Sequence, residues 1–131
     1  MYEAKFAYTK RIEAPYDEVV QRVRDALPTE GFGVLTEIDV KATLHKKLGV
    51  DRLPYVILGA CNPALANRSL QITPSIGVFL PCNVDVFVGE DGATYVQTIK
   101  PLEVFKLVDM PGVEEIAKEV DEKLQRVLEK V

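Results

Sequence analysis

The sequence has 131 residues, a formal net charge of −4, 47% hydrophobic residues and 27% charged ones. That composition predicts a single folded domain with a substantial core and excludes a disordered chain. The acidic balance, without blocks of like charge, gives no footing for nucleic acid or an anionic membrane, and no apolar run approaches the ~20 residues a spanning helix needs.

Residues Glu3 to Ile12 alternate, with Ala4, Phe6, Tyr8 and Ile12 on one side, which predicts a half-buried strand. Pro15 opens a helix, because its missing N–H costs nothing in the first turn. Tyr16, Val19, Val20, Val23 and Leu27 form its apolar stripe, and Pro28 and Gly31 stop it. A second strand is expected over Phe32 to Val40. Asp39 is placed to cap a short basic helix, about Val40 to Leu48, whose buried face is expected to be Val40, Leu44 and Leu48. Gly49 ends that helix.

The central stretch runs from Tyr55 to Val88. Tyr55 to Ala60 is apolar almost without a break, as in a central strand. Asn62-Pro63 has the form of an N-cap followed by proline at the first helical position, and a short helix follows over Ala64 to Leu70. Gly77 to Val88 alternates again, so Val78, Leu80, Cys82, Val84, Val86 and Val88 are expected to share a face. Pro81 removes a ladder donor, which places this strand at a sheet edge or gives it a bulge. Asp91-Gly92 marks a hairpin turn into a returning strand, Ala93 to Lys100. A connector from Pro101 to Val108 leads to a last helix, starting near Pro111. Its apolar face is Val113, Ile116, Ala117, Val120, Leu124, Val127, Leu128 and Val131. Glu114–Lys118, Glu119–Lys123 and Glu122–Arg126 are spaced to pair on the opposite face. A sheet covered by the first and last helices is the simplest way to bury both amphipathic faces.

Leu58-Gly-Ala-Cys-Asn-Pro63 and Leu80-Pro-Cys-Asn-Val84, with Gly31-Phe-Gly-Val-Leu-Thr-Glu-Ile-Asp39, the Lys41 to Gly49 helix and Pro101, make the chain resemble a known family. It is a set of small bacterial and archaeal proteins called domain of unknown function 302, and the resemblance spans essentially the whole chain. It implies an α+β fold like that of the TATA-box-binding protein, with a curved antiparallel sheet and helices packed on it. It also implies a homodimer. It carries no established activity, and the fold analogy does not imply DNA binding.

The two Cys-Asn motifs hold the candidate chemistry. Cys61 lies where a strand ends and a helix begins, a setting that favours a thiolate; the alternative is a small buried hydrophobe. Cys82 is in phase with valines and a leucine and should face the core. Asn62 and Asn83 have structural jobs, capping a helix and satisfying backbone at a bulge near Pro81. Each could also offer an amide to a polar ligand. His45, the one histidine, stands among Lys41, Lys46, Lys47 and Arg52, a basic patch that reads as a solvated helix face or an anion site. No metal set, phosphate loop or nucleotide glycine pattern occurs, so no cofactor is expected.

The sequence reading is therefore a dimeric small-molecule-binding or sensing module, with a pocket between the sheet and a helix near Cys61, Asn62, Pro81, Cys82 and Asn83. A thiol enzyme or redox protein using Cys61 is the first alternative, and a structural dimer that partners another protein is the second. The start of the chain lacks the pattern of a signal peptide, and two cysteines fit free thiols, so a cytoplasmic location is expected.

Overall fold

The computed structural model describes residues 1–131. Five strands make one fully antiparallel sheet: β1 (Ala7–Ile12), β2 (Gly33–Asp39), β3 (Tyr55–Cys61), β4 (Cys82–Val88) and β5 (Thr94–Ile99). Their spatial order is β1-β5-β4-β3-β2. Helices α1 (Tyr16–Ala26) and α5 (Val113–Glu129) cover one face, so the fold is α+β, as the amphipathic stripes require. The core lies between that face and the helices: Val56, Leu58, Ala60, Cys82, Val84, Val86 and Val96 from the sheet meet Val19, Val23, Ile116, Val120 and Leu124.

Local signals set most boundaries. Asp39 caps α2 (Val40–Leu48) by accepting from the Ala42 N–H at 2.9 Å, and Gly49 ends it in the left-handed region at φ 68°. Asn62 caps α3 (Pro63–Ile72), accepting from the Leu65 N–H at 3.3 Å. The α4 turn (Pro101–Val104) and a 3-10 turn form the connector into α5.

Several expectations are corrected. The alternation from Gly77 is not a strand: Pro74–Phe79 winds as a 3-10 helix, and β4 begins only at Cys82. Val78, assigned to the shared apolar face, is 85% exposed. Pro81 precedes the strand, so it removes no ladder donor, and β4 is the middle of the sheet rather than an edge. The register irregularity lies instead on β2, between Val34 and Thr36. The first strand starts at Ala7, and Phe6 is exposed. Helix α2 has no buried residue: Val40 and Leu44 are half-covered and Leu48 is exposed, because α2 packs chiefly along β3 and the edge strand β2. On α5 the three pairs four residues apart do not form. Glu119 binds Arg68 of α3 at 2.8 Å, while Arg126 and Lys130 reach Glu30 at 2.8 and 2.9 Å; tertiary partners win over neighbours on the helix.

No helix is long and apolar enough to cross a membrane.

Candidate functional site

The face of the sheet away from α1 and α5 carries the residues of odd phase: Tyr55 on β3, Asn83, Asp85 and Phe87 on β4, and Tyr95 and Gln97 on β5. The ends of this face differ. Toward the β4–β5 turn, Tyr55 and Tyr95 stack on Phe87 with ring centroids 5.1 and 5.6 Å away. Tyr2 adds an edge contact to Phe87 at 5.3 Å. Toward the start of β4 the face is polar, with Asn83, Asp85 and Gln97 on adjoining strands.

Asp85 lies directly across from Ile57 on one side and Gln97 on the other. The Tyr55 hydroxyl donates to its Oδ2 at 2.9 Å. Its Oδ1 is buried and has no hydrogen-bond partner, the one such side-chain atom in the protein. No lysine, arginine or histidine forms an ion pair with it. Desolvation therefore holds the carboxyl above the usual aspartate range, against the opposing pull of the Tyr55 hydrogen bond. Burial and the carboxylate in turn push the Tyr55 phenol well up.

Asp85 lies on the floor of a cleft of about 420 Å³, within the range of ligand sites. Asn83 and Gln97 share the floor, and Phe6, Val78, Phe79 and Pro81 form apolar walls. The Leu80–Pro81 bond is cis and turns the chain from the 3-10 segment into β4. Pro81 then closes over β3 at Gly59, where an added Cβ would meet Thr36 Oγ1 and stand 2.9 Å from Pro81 Cγ. Glycine at this point is what lets the wall approach the floor.

The five residues expected to line one pocket are divided by the sheet. Cys61, Asn62, Pro81 and Cys82 border an apolar gap of only about 30 Å³ between β3, α3 and α5, room for a water or two. Pro81 and Asn83 border the open-face cleft. Both cysteines are free thiols, and Cys82 is opposite Ala60 rather than Cys61 in the β3–β4 register. Burial, with a smaller effect from Cys61, pushes the Cys82 thiol up to about 11, which makes it a poor nucleophile. Asn62 is committed to structure: besides its cap, its amide donates to the Glu30 carbonyl at 3.2 Å, tying α3 to the turn after α1. No bulge exists for Asn83 to satisfy; its side chain is exposed at the cleft.

The basic patch lies on the outer side of α2. Lys41, His45, Lys46 and Lys47 are all exposed. Lys41 donates to the Arg52 carbonyl, and His45 Nδ1 is 3.2 Å from Asp51. No group of three or more metal-ligating side chains occurs.

Sequence reasoning passed over Asp85, Gln97 and Phe6. A signal existed for the first: Asp85 is a lone carboxylate inside the apolar run Val84-Asp85-Val86-Phe87-Val88. Alternation explains it as a solvent-facing residue, and only the walls from distant segments turn that position into a cleft floor.

Comparison with known proteins points to one family. Residues 8–131 match the family described as Domain of unknown function DUF302. A solved crystal structure, of an uncharacterized conserved protein DUF302 from Bacillus stearothermophilus, is similar with 34% identity and a TM-score of 0.89, covering 97% of this chain and 98% of that one. No match is found among curated proteins.

Proposed function

Because the chain belongs to the Domain of unknown function DUF302 family, whose description names no activity, we propose from its own geometry that it is a small-molecule-binding module. The ligand would occupy the open-face cleft framed by the second Cys-Asn motif, at Pro81, Asn83 and Asp85. The observation that carries this reading is the contrast between the two hollows around the motifs. One is a narrow gap of about 30 Å³ and the other is a cleft of about 420 Å³ with polar groups on its floor and an apolar surround. The expected result of a fragment screen followed by amide chemical-shift mapping is a set of perturbations at Val78, Asn83, Asp85 and Gln97. Perturbations clustered on α2 or α3 instead would overturn the placement.

The same reading includes a homodimer. Its support is the edge strand β2, where Leu35 and Ile38 are exposed with no covering element. Light scattering over a concentration series is expected to give twice the chain mass, and a monomer throughout the micromolar range would remove this part of the proposal.

A further inference from the structure

Building on the open-face cleft as the binding site, we propose that its ligand class is a primary ammonium carried on an apolar body. Three features of the cleft select this chemistry. The lining includes a carboxyl whose Oδ1 is buried without a partner, flanked by the neutral amides of Asn83 and Gln97. No cation answers it from any side. From β3 it meets the Tyr55 hydroxyl, from β5 Gln97, and the wall residues Phe6, Val78 and Val104 are uncharged. Arg52, the cation beside Tyr55, is turned onto the Tyr55 ring, 5.2 Å from its centroid.

The third feature is the surround. Phe6 and Val78 both line the cleft while 65% and 85% exposed, an apolar rim around a single acid. An ammonium supplies both the missing donor and the missing counter-charge, and its carbon chain covers that rim. An anion would meet the carboxylate unfavourably, and a neutral alcohol would leave the charge uncompensated. Asp85 is half-buried rather than sealed, and the terminal torsion of aspartate is broad, so one oxygen can turn to the ligand while the other keeps Tyr55.

The test compares hexylamine, 1-hexanol and hexanoate, which share one apolar body, by chemical-shift titration of the full chain. Hexylamine is expected to bind at the cleft about tenfold more tightly than 1-hexanol at pH 8, with hexanoate weakest. Asp85→Asn is expected to reduce that preference to within about twofold. The unsubstituted protein gives a second readout. Hexylamine stays protonated throughout, so its advantage should fade as pH is lowered through the raised Asp85 range, before ordinary carboxylates titrate. Equal binding of amine and alcohol at the cleft would overturn the ammonium assignment and leave the cleft standing. Amine binding unchanged in Asp85→Asn, and independent of pH in that range, would also overturn it. Failure of all three probes to perturb the cleft would overturn both readings.

Discussion

The Tyr55 hydroxyl reaches diagonally across the β3–β4 pair to Asp85 Oδ2, 2.9 Å away, and is the only hydrogen bond the carboxyl receives. The aspartate thus enters the folded state half-satisfied. Beyond that one bond, the group is held on the sheet by the register of its strand, with no ion pair of its own.

That arrangement costs stability at neutral pH. The folded carboxyl keeps its proton to higher pH than the unfolded one, so between the two titrations the native state binds more protons, and stability falls as pH rises across that window. Asp85→Asn, which keeps shape and accepts from Tyr55, is expected to raise the melting temperature at pH 7.5 by roughly 2–4 °C. The gain should shrink as pH is lowered to ~3, below the ordinary aspartate range and therefore below the raised folded one. Calorimetry at the two pH values decides it, and a melting point lowered at neutral pH would contradict the account.

The two thiols should differ in reactivity. With its pKa pushed up to about 11, Cys82 is buried and stays almost wholly a thiol at neutral pH, whereas Cys61 is partly accessible at the end of β3. A disulfide reagent is expected to modify Cys61 at least roughly ten times faster in the native protein, with Cys82 following on unfolding. Peptide mapping by mass spectrometry reads the order directly; equal rates would show that burial does not govern Cys82.

Asn62 should matter for stability rather than binding. Asn62→Ala removes both the cap to Leu65 and the bond to the Glu30 carbonyl, an expected loss of about 1–2 kcal/mol. Asn62→Asp retains an acceptor for the cap and loses only the donor, so its cost should be smaller. Urea denaturation of the three proteins checks the ranking, and the order Asp worse than Ala would refute the capping role.

Two further tyrosines set the behaviour in alkali. Desolvation first, then the Asp121 carboxylate, pushes the Tyr8 phenol up to about 12; burial does the same for Tyr16. Unfolded phenols ionise near pH ~10. The native state keeps these protons longer, so the stability they contribute is complete below ~10 and lost as pH climbs toward about 12. Absorbance titration near 295 nm is expected to show phenols ionising late and together with unfolding. Five phenols titrating normally in a folded protein would rule this out.

The sequence by itself determined the elements whose causes are short-ranged. Asp39, Gly49 and Asn62-Pro63 act within about one helical turn of themselves, and each ends or starts a helix where its chemistry demands. The α5 stripe was equally legible, since Val113, Ile116, Ala117, Val120, Leu124, Val127 and Leu128 repeat at the helical period and are all buried. Asp121 was not: it is buried within that same stripe because Tyr8, 113 residues away, donates to it at 3.0 Å.

The tertiary structure alone decided which strand is central, which apolar residues stay exposed, and where the cleft lies. Alternation from Gly77 to Val88 is compatible with a strand, yet Pro74–Phe79 winds as a 3-10 turn and β4 begins only at Cys82. The Asp91-Gly92 turn marks β5 as one neighbour of β4, but alternation cannot say that β3 flanks its other side, because that pairing joins segments separated by α3 and the 3-10 segment. The same limit hid the candidate site. Asp85 reads locally as a residue for solvent, and it becomes a desolvated acid only when Tyr55, Gln97, Phe6 and Val78 arrive from four other segments to surround it. Burial is a property of neighbours, and those neighbours are set by the fold rather than by the local chain.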